Sequence, residues 1–255
     1  MECFYLTKRK IMKNLQKANE VIGNLKKLGS KEKAKILMRF FKTGKGQYAE
    51  GDIFWGINVP SIRVIAKQAK EIELDEAVKL IKDPVHEVRL CGLLIFVYKF
   101  NKADEALRNE IFSIYLNNRK YINNWDLVDV TCPNIVGNYL LDKDRTILYD
   151  LARSNDLWEQ RIAIISTFAF IKRNDFDDAI KICKLLITHK HDLIHKATGW
   201  MLREIYKRDK EPVLKVLDEY AATMPRTMLR YSIEKMDKPL RLHYLQLRDK
   251  TSKLN

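Results

Sequence analysis

Glu87-Val88-Arg89-Leu90-Cys91-Gly92 opens a run whose apolar residues fall three and four apart, and the same opening returns twice. The echoes are Glu159-Gln160-Arg161-Ile162-Ala163-Ile164 and Ile194-His195-Lys196-Ala197-Thr198-Gly199. Each time a basic residue stands at the third place of a segment that continues apolar. Arg89 and Arg161 are 72 residues apart and Arg161 and Lys196 are 35 apart, so the larger gap holds two periods of 36. One period beyond Arg89 falls Trp125, within Asn124-Trp125-Asp126-Leu127-Val128-Asp129.

Outward from these segments, helical periodicity runs through most of the chain. It covers 8–28, 31–42, 61–72, 85–100, 103–117, 143–153, 156–171, 176–188, 191–207 and 226–236. Strand-like alternation is hard to find. Breaks fall at Gly44-Lys45-Gly46, Asn58-Val59-Pro60, Asp83-Pro84, Pro133, Pro212 and Pro225. With 9 Gly and 6 Pro among 255 residues, the chain is too poor in turn formers for a sandwich or barrel. The expectation is an all-α fold. A period near 36 made of paired helices points to a HEAT-like or armadillo-like solenoid with a concave basic groove. One such unit cannot bury its own apolar face, so stacked units share a core and line equivalent residues along one side. The competing reading is a non-repeating helical domain with chance similarity.

The net charge is +14 and is uneven. Residues 1–45 carry 13 Lys/Arg against 3 Glu, and residues 196–255 carry 14 against 8 acidic residues. Two basic ends around a more neutral centre fit a polyanion held on both sides of a site, or a solvated lysine-rich surface. Cys3, Cys91, Cys132 and Cys183 match no zinc spacing and read as free thiols in a reducing compartment. No apolar stretch approaches the roughly 18 residues of a membrane span, and the N-terminus lacks the order of a signal peptide. The expectation is a soluble cytoplasmic, nucleoid-associated protein that meets no membrane.

If repeat positions are equivalent, Arg89, Trp125, Arg161 and Lys196 form one row. Residues four further on share their helix faces: Leu93, Asp129, Ile165 and Trp200. Trp125, Asp129, Arg161 and Trp200 would then face one groove. Each has a plainer reading: Trp125 as a core aromatic, Asp129 as a surface acid, Arg161 as the structural partner of Asp129. Asn124 and Asp126 explain the helix start. Trp55 and Trp158 read as packing residues. His189, His191 and His195 give no complete zinc set and read as loop and helix-start residues.

Several strings together are specific. They are Tyr48…Phe54-Trp55-Gly56-Ile57-Asn58-Val59-Pro60-Ser61-Ile62-Arg63, Trp125-Asp126-Leu127-Val128-Asp129, Trp158-Glu159-Gln160-Arg161 and Lys196-Ala197-Thr198-Gly199-Trp200-Met201-Leu202-Arg203-Glu204. In this order, over about 30–236, the chain resembles the AlkD-like DNA alkylation repair family. The resemblance implies a single helical-repeat domain over 1–255. It leaves 1–29 as a basic N-terminal helical extension and 237–255 as a C-terminal tail.

It also implies a DNA glycosylase of base excision repair. Such an enzyme hydrolyses the N-glycosidic bond of N3- or N7-alkylated purines in duplex DNA, as a monomer and without a metal or other cofactor. Asp129 corresponds to the family's catalytic carboxylate, Trp125 and Trp200 to its site tryptophans, Arg161 to its site arginine and Tyr48 to a DNA-touching aromatic. Asn58 departs from the Gln of some relatives, which concerns one DNA contact and not the chemistry. Arg63, Lys172, Arg173, Lys196, Lys207, Arg208, Arg226 and Arg230 are candidates for phosphate contacts. The rivals are a non-catalytic DNA-binding relative and a helical scaffold for RNA or protein.

Overall fold

The computed structural model describes residues 14–251, with side chains as far as Leu247. Cys3, residues 8–13 of the expected first helix and the end of the C-terminal tail lie outside the described residues. Among those described the secondary structure is helical, with no strand and one isolated bridge between Ile53 and Val85. Two compact units meet in the sequence between Leu127 and Val128.

The first unit contains α1 (Ala18–Lys26), α2 (Lys31–Phe40), α3 (Val59–Gln68), α4 (Leu74–Ile81), α5 (His86–Phe100) and α6 (Glu105–Asn117). Its core helix is α5, buried without interruption from His86 to Val97. A helix with no polar face must be covered on every side, and α3, α4 and α6 pack against it. Polar side chains start the helices as the sequence suggests. Asn58 Oδ1 accepts from Ser61 N at 2.9 Å and Asp104 Oδ1 from Leu107 N at 2.9 Å. Glu87 turns its buried carboxylate to the backbone N–H groups of Trp55, Gly56 and Ile57 at 2.8–3.1 Å, fastening that loop to α5. The helix α4, Leu-Asp-Glu-Ala-Val-Lys-Leu-Ile, lies between two segments expected from periodicity and was not among them.

A five-residue helix, α7 (Trp125–Asp129), carries the chain from one unit to the next. The second unit continues with a wide helical turn at Pro133–Gly137, then α8 (Thr146–Arg153), α9 (Leu157–Ser166) and α10 (Phe168–Ile171). It ends with α11 (Asp177–Leu185), α12 (Asp192–Tyr206), α13 (Glu211–Tyr220), α14 (Arg226–Ser232) and α15 (Lys238–Thr251). The helix expected over 156–171 is divided at Thr167, whose hydroxyl donates to Ile164 O at 2.6 Å. Pro212 sits in the first turn of α13, where its missing N–H costs nothing. The stretch expected as a tail bears α15, anchored by buried Tyr244, whose hydroxyl donates to Asp218 Oδ1 at 2.8 Å.

The helix α12 packs on α9 and on α14. At the second contact a Cβ on Gly199 would stand 2.5 Å from Tyr231 Cβ and 2.6 Å from Met228 O, so only glycine permits the approach. The sequence string that carries Trp200 is thus also a packing motif.

Candidate active site

In the second unit the expected carboxylate and guanidinium meet. Asp129 is the last residue of α7 and Arg161 the fifth of α9. Arg161 Nε donates to Asp129 Oδ1 at 2.8 Å and Nη2 to Oδ2 at 2.7 Å. The remaining terminal nitrogen, Nη1, donates to the carbonyl of Leu193, beside the start of α12. The bidentate fork fixes the plane of the carboxylate. The Arg161 side chain is 5% exposed and that of Asp129 15%. The thiol of Cys132 lies fully buried one turn past Asp129, and burial pushes it well above the ordinary cysteine range.

Two turns along α12 from Leu193 is Trp200. Its indole N–H donates to Glu204 Oε1 at 3.2 Å, and its ring meets that of Phe168 at 5.8 Å. Three of the expected phosphate-binding residues gather around this indole. Lys172 Nζ lies 4.5 Å from the Phe168 ring centre, Lys207 Nζ lies 2.6 Å from Glu204 Oε1, and Arg208 donates to Glu204 O at 2.9 Å. Lys172, Arg173, Lys207 and Arg208 are exposed. Lys196 is engaged with Asp192 at 2.7 Å. On α14, Arg226 donates to Leu245 O at 3.1 Å and Arg230 is exposed.

In the first unit Trp125 opens α7, with Asn124 Oδ1 accepting from its N–H at 2.8 Å. The half-buried indole donates to Tyr48 OH at 3.3 Å and stacks on Phe41 at 5.2 Å, with the exposed Phe40 edge-on at 6.0 Å. Tyr48 and Trp125 are therefore brought together. Asn58 is exposed and spends its amide oxygen on capping α3, while Arg63 is half-buried on that helix.

Counting from helix starts corrects the repeat register. Arg89 is the fourth residue of α5, and Arg161 and Lys196 are each fifth in their helices, but Trp125 is the first of α7. This helix starts a turn late for that register, so Asp129, not Trp125, takes the fifth place. The true echo of Arg161 is Arg89. Each arginine pairs with an aspartate 32 to 37 residues earlier and donates to an oxygen 32 to 34 residues later: Asp52 and Asn123 for Arg89, Asp129 and Leu193 for Arg161.

Sequence reasoning missed His86, Asp52, Phe41 and Glu204. Glu204 was findable, four residues after Trp200 and on its face. His86 was not, because its partners lie 34 residues before it and 40 after. The histidines near 190 take the helix-start roles expected of them. His191 Nδ1 accepts from Leu193 N at 3.1 Å and His189 Nδ1 from His191 N at 3.0 Å. Burial depresses the pKa of both. Among the described residues, no three His, Cys, Asp or Glu side chains are placed to hold a metal ion, and no helix is long and apolar enough to cross a membrane.

A family model described as DNA alkylation repair enzyme matches residues 21–236. A solved structure, "Predicted DNA alkylation repair enzyme from Enterococcus faecalis", is similar with a TM-score of 0.63, over 82% of this chain and 97% of that one. At 17% identity this likeness speaks for the helical fold. No curated protein matches the chain.

Proposed function

Given that the chain belongs to the DNA alkylation repair enzyme family, we propose that it is a DNA glycosylase releasing N3- and N7-alkylated purines from duplex DNA. The observation that carries this reading is the Asp129–Arg161 fork: a carboxylate held in one plane by two hydrogen bonds, with its side chain 15% exposed. A purine alkylated at these nitrogens is already cationic and departs as a neutral base, so no general acid has to protonate it. Positive charge instead develops on the deoxyribose as the bond breaks. A preorganised carboxylate stabilises that charge where it appears and orients the attacking water.

Arg161 sets the direction of the carboxylate, and its tie to Leu193 keeps the fork from turning. Trp125 and Trp200, each in its own unit, present indole faces to electron-poor sugar or base, worth roughly 0.5–2 kcal/mol apiece. Lys172, Lys207 and Arg208, around Trp200, and the exposed Arg173 serve as phosphate contacts. The partner is duplex DNA, engaged through backbone and sugar by a monomer.

One observation favours a second reading. The Asp52–Arg89 pair repeats the residue types of Asp129–Arg161, though through one bond in place of two, so the latter could be a repeat-to-repeat latch in a DNA-binding relative without turnover. Exposure separates them: the Asp52 side chain is 3% exposed and Asp129 15%. A sealed carboxylate can only hold structure, whereas an open one can meet a sugar. Incubating the full chain with methylated duplex DNA and analysing the soluble bases tests the proposal. Release of 3-methyladenine or 7-methylguanine supports it, and retention of both in the DNA favours the latch.

A further inference from the structure

His86 begins α5 with its side chain 2% exposed and a carboxylate at each ring nitrogen. Nδ1 lies 2.9 Å from Asp52 Oδ2 and Nε2 lies 2.8 Å from Asp126 Oδ2. An ionised carboxylate only accepts, and a neutral imidazole has one N–H. Two carboxylate partners therefore call for a ring protonated at both nitrogens. Burial works against the charge, but the hydrogen bonds to Asp126 and Asp52, with their negative charges, outweigh it and push the pKa up to about 9.

Arg89 completes the cluster. Its Nη2 lies 2.7 Å from Asp52 Oδ1 and 3.1 Å from Asn123 Oδ1. Two cations thus face two carboxylates, and together they grip both ends of the turn 123–126 that launches α7. The same imidazole is stacked on Phe54 at 4.4 Å and tilted against Phe41 at 5.1 Å. Phe41 in turn stacks on the indole of Trp125. Two routes, one of hydrogen bonds and one of rings, lead from this histidine to Trp125. A buried ionic cluster gains little over a well-packed apolar one, so fixed geometry is the property it contributes.

We propose that His86 is the positioning residue of Trp125: bridging Asp52 to Asp126, it fixes the start of α7 and, through Phe41, the plane of the indole. Its effect on turnover rests on the reading of Trp125 as a substrate contact, whereas its effect on the indole does not.

The test uses indole N–H resonances of the 15N-labelled full chain, with that of Trp125 assigned from Trp125→Phe. His86→Gln keeps a polar side chain but cannot bridge two carboxylates. Asp126→Asn removes one half-buried acceptor and carries the test should His86→Gln not fold. The expected result is a moved or broadened Trp125 resonance in both variants, with Trp158 and Trp200 in place. Alongside it, kcat for base release falls roughly tenfold to hundredfold at little-changed KM. An unmoved Trp125 resonance in Asp126→Asn overturns the inference whether or not base is released. A moved resonance with unchanged kcat overturns the positioning role. A wild type that releases no base overturns the proposed function, while a moved resonance still upholds the bridge.

Discussion

Arg161 holds Asp129 by both carboxylate oxygens, at 2.8 and 2.7 Å, from a helix that starts 28 residues further along the chain. The pair sits where α7 gives way to the turns that lead into Pro133–Gly137.

Arg161→Ala removes the guanidinium from Asp129 and the side-chain donor from the Leu193 carbonyl. A loss of about 3–5 kcal/mol is expected, as for other buried pairs broken from one side. Asp129→Asn retains one acceptor for the guanidinium, and its cost should be nearer 1–3 kcal/mol. Urea unfolding of both variants checks the order. An Arg161→Ala protein as stable as the wild type contradicts the fork.

The His86 cluster makes stability depend on pH. The folded pKa of about 9 lies above the ordinary 6.5, so the folded state binds this proton more tightly. The resulting stabilisation, about 3 kcal/mol, is complete below pH 6.5 and fades as pH rises through 9. The groups facing the ring are Asp52, Asp126 and Arg89, with Phe41 and Phe54 on its faces. The pKa of Asp52 is lowered, burial notwithstanding, by the His86 hydrogen bond and the Arg89 charge, so it stays ionised throughout. Urea unfolding of wild type and His86→Gln from pH 6 to 10 should give a stability difference that shrinks with pH. A constant difference contradicts a protonated bridge.

Gly199→Ala forces a Cβ against Tyr231 and Met228, and α12 must part from α14. Overpacking of this kind costs about 1–3 kcal/mol. Thermal unfolding checks it, and an unchanged Tm contradicts the close approach. Since Trp200 follows in sequence, base release should weaken too.

Duplex affinity should fall steeply with salt, because phosphate contacts release counterions. Lys172 and Arg173 are exposed, and Lys172 lies against the ring that meets Trp200. Removing both by substitution to Ala should flatten the slope of log affinity against log salt by about 1–2. An unaltered slope removes them from the DNA contact.

Much of the fold could be read from the sequence because α5, α9 and α12 announce themselves by apolar spacing. The amphipathic α4, α13 and α15 escaped, being short or flanked by stronger signals. The Trp125-x-x-x-Asp129 spacing and the Trp200 string were legible because they are local. The pairing of Arg161 with Asp129 was visible only as one of two options, since 32 residues separate them. The Asp52–His86–Asp126 bridge left no trace, because each member reads alone as an ordinary turn or helix-start residue. The 36-residue register pointed to the right helix and the wrong turn of it. Spacing counts residues, whereas this helix begins at Trp125 itself, a turn later than the register places it.

The central claim is that Asp129 acts on the sugar and does more than latch two repeats. Single-turnover release of 3-methyladenine and 7-methylguanine from methylated duplex DNA by wild type and Asp129→Asn tests it most directly, with both proteins shown to be folded and to bind the duplex equally. The account predicts a loss of about a hundredfold to a thousandfold in the rate of release, the scale on which removal of one preorganised electrostatic group is felt. Equal rates for the two proteins contradict it.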